Sequence, residues 1–174
     1  MKVPQPFPYQ GSKRNLAPAI LGYLPEGVAT LIEPFAGSAA ITLNAAAQGL
    51  AEQFVINDLN EPLMNLWRAI IDSPEKLARQ YASLWHAQHD DRRGFFDKVR
   101  DEFNHTGKPD RLLYLLARCV KAAVRYNADG EFNQSPDNRR TGMLPATMRE
   151  NLMGASRLLR GRTECASCDY KEVV

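Results

Sequence analysis

A glycine turn and a downstream carboxylate are the residues of this sequence whose types and spacing suggest chemistry. The turn follows an apolar run at 30–32, and a second apolar run at 54–56 leads into Asp58. Glycine lets the backbone approach a ligand, and a carboxylate at the next strand end can hold the two hydroxyls of a ribose. The spacing therefore predicts a nucleotide-cofactor site. The turn itself reads Glu33-Pro34-Phe35-Ala36-Gly37-Ser38.

The residues around Gly37 indicate which kind of cofactor fits the turn. The three-glycine fingerprint of dinucleotide sites is missing, which disfavours a cofactor with a pyrophosphate. A cofactor with a ribose and no phosphates fits better, and S-adenosylmethionine is of that kind. Glu33 is a candidate to complement its ammonium or sulfonium charge. An ordinary helix-capping turn is the alternative interpretation of the glycine alone, and Asp58 is the residue that favours the cofactor site.

The arm before the turn, residues 9–13, has two interpretations. As an isolated segment it is an extended arm that ends in a solvated lysine. If Gly11 folds the arm tightly over the glycine turn, Tyr9 packs on the cofactor and Lys13 meets the cofactor carboxylate.

A second group of candidates lies on a turn-rich loop in the last third of the chain. Arg125, Asn127 and Asn133 carry the guanidinium and amide groups that contact phosphates and read base edges in DNA. Arg139 and Arg140 follow closely and are candidates for phosphate contacts. A solvated, asparagine-rich turn is the alternative interpretation of this loop.

These candidates need a scaffold of strands and helices to position them. Strands are predicted at 30–32 and 54–56, with an alanine-rich helix over 38–48 between them. A helix over 145–159 is predicted to lead into a third short strand that ends near Cys168. The remaining predicted helices cover 16–24, 92–103 and 110–125, with two more starting near Asn60 and Pro74.

The composition of the chain limits the classes of function that it can have. The 174 residues are 44% hydrophobic, which suits one compact domain or one domain with a small appendage. Because 22 basic side chains oppose 20 acidic ones, the net charge is +2, so any contact with a polyanion must be local. No apolar stretch approaches the roughly 20 residues that span a bilayer, and we expect a cytoplasmic protein.

The three cysteines argue against a secreted disulfide framework because their number is odd. A zinc site is a minor alternative, with Cys165 and Cys168 as one half and His86 and His89 as the other. The order of these pairs is wrong for a zinc finger, and no metal is expected.

Four motifs resemble those of the Dam-like (D12 class) family of DNA adenine N6-methyltransferases and follow one another in the same order as in that family. The resemblance covers essentially the whole chain. It implies an α/β fold with an incomplete Rossmann-like methyltransferase sheet, S-adenosylmethionine as methyl donor and double-stranded DNA as substrate. The implied division is a cofactor-binding part at 1–60, an inserted helical target-recognition region at 61–160 and a return strand at 161–174. The motifs are Phe7-Pro8-Tyr9-Gln10-Gly11-Ser12-Lys13, Glu33-Pro34-Phe35-Ala36-Gly37-Ser38, Asn57-Asp58-Leu59-Asn60 and Arg125-Tyr126-Asn127-x-x-Gly130-Glu131-Phe132-Asn133.

The resemblance also assigns roles to matched positions. Asp58 would hold the ribose hydroxyls, and Asp169, a looser match, would lie near the adenine of the cofactor. The other matched positions that would contact the cofactor or line its pocket are Tyr9, Lys13, Phe35 and Gly37.

The sequence departs from the family at the catalytic motif. Family members carry Asp-Pro-Pro-Tyr or a close variant on the strand after the recognition region, and this sequence has no Pro-Pro pair. In the family that motif accepts hydrogen bonds from the adenine amino group and stacks on the flipped base. We therefore expect no catalytic residue in this chain.

In the leading interpretation, the chain is the cofactor-binding and DNA-recognition subunit of a split, site-specific adenine methyltransferase. A methyltransferase of a restriction-modification system is one example. With two clear strands and one probable strand, the predicted sheet has an open apolar edge, which favours pairing with a second chain that carries the catalytic motif. The chain alone would then be inactive. The alternative is a catalytically inactive module that binds S-adenosylmethionine or DNA as a regulator.

Overall fold

The computed structural model describes residues 3–25 and 27–174. Within these residues, three parallel strands form one sheet in the order β1-β2-β3, and seven α-helices accompany it. The strands are β1 (Val28–Glu33), β2 (Ala51–Asn57) and β3 (Thr163–Ala166). The helices are α1 (Ala17–Leu21), α2 (Ala40–Gln48), α3 (Glu61–Asp72), α4 (Pro74–Ala87), α5 (Arg92–Thr106), α6 (Pro109–Arg118) and α7 (Pro145–Leu159).

The sheet has a covered face and an open one. Leu31 pairs in register with Phe54 of the central strand, and both side chains are buried. Because side chains alternate along a strand, the neighbouring Ile32 points to the opposite face, where it is 39% exposed. Helix α2 contacts β1 and β2, while α3 contacts β3. The predicted α/β class is thus confirmed, with a sheet that is incomplete within the described residues.

Most predicted elements are confirmed within a few residues. The predicted strands at 30–32 and 54–56 lie within β1 and β2, and the helix over 145–159 is α7. Helix α3 begins after Asn60, whose side-chain oxygen accepts a hydrogen bond from the Leu63 amide at 3.2 Å. Among the described residues, no helix combines the length and the apolar character that crossing a bilayer requires.

The predicted helix over 110–125 is wrong in its second half, because α6 ends at Arg118. The backbone of Lys121 and Ala122 is left-handed, with φ of 56° and 50°, which a right-handed helix does not allow. The amide of Val120 donates to the carbonyl oxygen of Ser135 at 3.0 Å, and this long-range bond replaces a helical one. The chain therefore turns sharply just before Arg125.

Asn57 joins the carboxyl ends of all three strands. Its side chain is 1% exposed, and its amide nitrogen donates to the carbonyl oxygens of Pro34 at 3.1 Å and Cys168 at 3.0 Å. Its side-chain oxygen accepts from the Cys168 amide at 3.1 Å. One buried amide thus fixes the loops that follow β1 and β3.

Asn57→Ala is expected to destabilise the fold by about 2–3 kcal/mol, because it leaves buried backbone groups without partners. Urea unfolding followed by circular dichroism measures the change. The exposed Asn138 provides a matched control, since Asn138→Ala removes an amide outside the core. Equal midpoints for the two variants would show that Asn57 does not hold the strand ends.

Candidate functional site

The glycine turn after β1 is held by contacts from three elements. The Gly37 amide donates to Asp58 Oδ2 at 3.0 Å, and the buried Trp67 of α3 donates from Nε1 to the Gly37 carbonyl oxygen at 2.9 Å. From the N-terminal arm, the ring of Tyr9 lies so close that a Cβ on Gly37 would meet its Cε1 at 2.8 Å. Gly37 also has a left-handed φ of 49°. Glycine is required here for both conformation and space.

The arm folds over the glycine turn, which is the premise of the second interpretation of residues 9–13, while the contacts of Tyr9 and Lys13 with a cofactor stay predictions. Gly11 has a φ of 81°, and Ser12 bonds through its hydroxyl to the Ser38 hydroxyl at 2.8 Å. Lys13 is exposed, and its Nζ donates to the Gly11 carbonyl oxygen at 2.8 Å. Burial raises the pKa of Tyr9 to about 12, and the Asp58 carboxylate and Tyr126 add to the rise. Tyr9 therefore stays neutral beside Asp58 at physiological pH.

Asp58 follows β2 and lies half-buried at the edge of the turn. Its Oδ2 accepts from the Gly37 amide, and its Oδ1 accepts from the Asn60 amide at 3.1 Å. A carboxylate has about four acceptor positions, so both oxygens can take a further hydrogen bond. This geometry suits two neighbouring hydroxyl donors.

An exposed aromatic pair stands next to the turn. The ring centroids of Phe35 and Tyr170 are 5.4 Å apart, and the side chains are 71% and 42% exposed. The Asp169 side chain accepts from the Lys171 amide at 3.0 Å, which starts the short 3₁₀ turn that carries Tyr170. The sequence reasoning missed Tyr170, although an aromatic directly after a candidate residue at a strand end was the available signal.

Glu33 contacts the start of α2. Its carboxylate accepts from the Thr42 amide at 2.9 Å and from the Thr42 hydroxyl at 2.6 Å, so it caps the start of α2. Burial raises the pKa of Glu33, and the bonds from Thr42 oppose that rise. A contact between Glu33 and the positive end of a cofactor stays a prediction.

Together these side chains offer what an S-adenosylmethionine molecule needs. Asp58 would supply acceptors for the ribose hydroxyls, and the exposed rings of Phe35 and Tyr170 would supply an apolar surface for a flat base. Lys13 would supply a positive charge for the amino-acid carboxylate. The residues therefore fit this group, while their individual contacts with it stay predictions.

The residues predicted to contact DNA lie on an irregular hairpin at 125–133 and the loop after it. Tyr126 and Phe132 form an isolated antiparallel bridge, and Arg125 and Asn133 are exposed near its base. The Asn127 side chain accepts from the Glu131 amide at 2.8 Å and donates to the Glu131 carboxylate at 3.1 Å. Asn127 thus builds the turn, and a contact between Asn127 and DNA stays a prediction.

Arg139 and Arg140 point outward from the following loop around a shared carboxylate. Arg139 Nε lies 3.1 Å and Arg140 Nε 3.6 Å from the Asp137 oxygens. Hydrogen bonds from Arg139 hold the pKa of Asp137 below its usual range. Both guanidinium groups remain exposed, so they are available to an outside phosphate.

The minor zinc alternative finds no support in the part of the chain that the structure describes. No group of three or more histidine, cysteine or acidic side chains with metal-binding geometry is present there. His86 and His89 instead stack edge-on against Trp85, with centroid distances of 5.1 Å and 5.2 Å.

Comparison with known proteins relates this sequence to one family. The sequence model of the D12 class N6 adenine-specific DNA methyltransferases matches residues 9–174. The chain is 31% identical over 176 residues to the DNA N-6-adenine-methyltransferase of Escherichia phage P1, a match that covers 97% of this chain and 22% of that protein.

Two further relatives agree with this assignment. The chain is 29% identical over 133 residues to the type II methyltransferase M1.LlaDCHI of Lactococcus lactis subsp. cremoris, and 27% identical over 129 residues to the DNA adenine methylase of Haemophilus influenzae. Each match covers 72% of this chain and 44% of the relative. The chain thus spans less than half the length of these three curated relatives.

Proposed function

Because the chain belongs to the D12 class N6 adenine-specific DNA methyltransferase family, we propose that it is the cofactor-binding and DNA-recognition part of a site-specific DNA adenine methyltransferase. The observation that carries this proposal is the Asp58 carboxylate bonded to the Gly37 amide beneath the ring of Tyr9. The proposed division is cofactor binding at 1–60, target recognition at 61–160 and a return strand at 161–174.

The proposed cofactor is S-adenosylmethionine, which supplies the methyl group when bound. Asp58 accepts hydrogen bonds from the two ribose hydroxyls, and Lys13 pairs with the carboxylate of the cofactor. Phe35 and Tyr170 contact the adenine, and Asp169 lies near the same ring. Gly37 has no side chain, and this lets the ring of Tyr9 lie directly against the turn beside Asp58.

The proposed DNA surface is the hairpin at 125–133 and the loop that follows. Arg125, Arg139 and Arg140 are exposed cations on neighbouring turns, which suits contact with phosphates. Asn133 is exposed at the base of the hairpin and is the candidate for reading a base edge. Asn127 contributes by shaping the turn through Glu131.

The catalytic Asp-Pro-Pro-Tyr strand is proposed to come from a second chain. The outer edge of β1 is unpaired within the described residues, and the carboxyl end of β1 leads directly into the glycine turn. A parallel strand added to this edge would end beside the same turn, at the point where the strand order reverses. The partly exposed Ile32 lies on this strand, where such a chain would pack.

Reconstitution tests this proposal. The chain alone is expected to bind S-adenosylmethionine in calorimetry and to transfer no labelled methyl to DNA. Purification with the polypeptide of an adjoining reading frame that carries Asp-Pro-Pro-Tyr is expected to restore transfer to adenine N6. Changing the aspartate of that motif to alanine should abolish the transfer again.

The outcomes separate the competing interpretations. Full methyl transfer by the chain alone would refute the split arrangement. Binding of S-adenosylmethionine without transfer, when a motif-bearing partner is present in a stable complex, would favour the inactive regulatory module. Failure to bind S-adenosylmethionine, both alone and with the partner, would refute the split enzyme and leave only a module that binds DNA.

A further inference from the structure

Tyr126 links the proposed DNA hairpin to the proposed cofactor site. It belongs to the hairpin through its bridge with Phe132, and the two rings meet edge-on with centroids 6.1 Å apart. Its hydroxyl leaves the hairpin and donates to Asn60 Oδ1 at 3.2 Å. Asn60 lies 66 positions earlier and is the last residue of the motif that contains Asp58. The motif that suggested DNA contact thus contains a side chain directed at the other site.

The hydrogen bonds continue from Asn60 to the glycine turn. The Asn60 amide donates to Asp58 Oδ1 at 3.1 Å, while Asp58 Oδ2 accepts from the Gly37 amide at 3.0 Å. Burial raises the pKa of Tyr126, the bond to Asn60 lowers it and the Asp58 carboxylate raises it again. The Tyr126 hydroxyl is therefore protonated and able to donate at physiological pH.

The far side of the hairpin is anchored separately to α5. The Phe132 amide donates to Asn104 Oδ1 at 2.8 Å, and Asn104 Nδ2 donates to the Phe132 carbonyl oxygen at 3.1 Å. The Phe132 ring packs perpendicular to Phe103 at 6.0 Å. Removing the Tyr126 hydroxyl therefore leaves the Asn104 anchor of the hairpin in place.

We propose that the Tyr126 hydroxyl couples cofactor binding to DNA binding. The inference rests on the proposed function and adds a positioning residue to it. A ribose held by Asp58 restricts the segment from Asp58 to Asn60, and the bond from Tyr126 passes that restriction to the hairpin. The second ligand then meets a partly ordered surface, so each ligand raises the affinity for the other by the same factor.

Tyr126→Phe tests the coupling, because it removes the hydroxyl and keeps the ring on Phe132. The affinity for a fluorescent duplex of about 30 base pairs with random sequence is measured at low salt, with and without S-adenosylhomocysteine, which cannot transfer a methyl group. The unchanged chain is expected to bind DNA about 5–20 fold more tightly when S-adenosylhomocysteine is bound. In Tyr126→Phe the ratio is expected to fall below about 2-fold, while each separate affinity changes less than about 3-fold.

The matched control is Tyr23→Phe, since Tyr23 is 90% exposed and carries the same ring and hydroxyl. If the role of Tyr126 were only structural, Tyr126→Phe would weaken the binding of both ligands and leave the ratio of the two DNA affinities unchanged. An unchanged ratio in Tyr126→Phe, or no coupling in the unchanged chain, would overturn this inference. Failure of the unchanged chain to bind either ligand would instead refute the proposed function.

Discussion

Asp58→Ala is expected to weaken S-adenosylmethionine binding roughly 100-fold. Two hydrogen bonds from ribose hydroxyls to a carboxylate contribute about 3 kcal/mol together, and every 1.4 kcal/mol corresponds to about tenfold in affinity. Isothermal titration calorimetry measures the loss. Asp58→Asn keeps the shape and one acceptor oxygen, so its affinity is expected to lie between those of the unchanged chain and the alanine variant.

Asp58 also accepts two backbone amides, so its loss has a structural component that must be separated from ligand binding. Urea unfolding of each variant gives that component, because the Gly37 and Asn60 amides lose an acceptor whether or not a ligand is present. Asp101→Ala removes an exposed carboxylate from α5 and serves as the charge control. If folded Asp58→Ala binds S-adenosylmethionine within about 3-fold of the unchanged chain, the carboxylate does not hold the ribose.

The elements around Asp58 were predictable because their signals are local. An apolar run followed by Gly37 and a second run followed by Asp58 predict two parallel strands whose carboxyl ends meet, and the structure has this arrangement in β1 and β2. The cap of Asn60 on α3 is likewise a matter of a few adjacent residues. Local patterns therefore predict which strand ends meet, and the candidate site lies at these ends.

The remaining features depend on contacts between distant residues. Asn57 makes its buried bonds with Cys168, 111 positions away, and no periodicity marks that pairing. The premature end of α6 depends on Val120 meeting Ser135, which lies in a loop without a regular pattern. Tertiary contacts can override local propensity in this way. Glu33 is a further example, because no local pattern indicated that its carboxylate accepts a hydrogen bond from the Thr42 amide of α2.

The second large effect is expected at Gly37, where backbone conformation and close approach act together. In Gly37→Ala, the left-handed φ of 49° costs about 1 kcal/mol. The Cβ contact of 2.8 Å with the Tyr9 ring adds about 1–2 kcal/mol of overpacking. Gly49→Ala isolates the first of these costs, since Gly49 has a φ of 69° and open space around its Cβ position.

A double-mutant cycle identifies the clash as the cause. Tyr9→Ala removes the ring. The double variant Gly37→Ala, Tyr9→Ala is therefore expected to lose less unfolding free energy than the two single variants lose together, by at least about 1 kcal/mol. In calorimetry, Gly37→Ala is expected to lose S-adenosylmethionine binding by more than about tenfold, because the displaced arm carries Lys13 away with it. Additive changes in unfolding free energy, or a Gly37→Ala variant as stable as Gly49→Ala, would show that the arm does not rest on the turn. The close approach of Tyr9 to Gly37 is thus expected to link the N-terminal arm to the cofactor site both in stability and in binding.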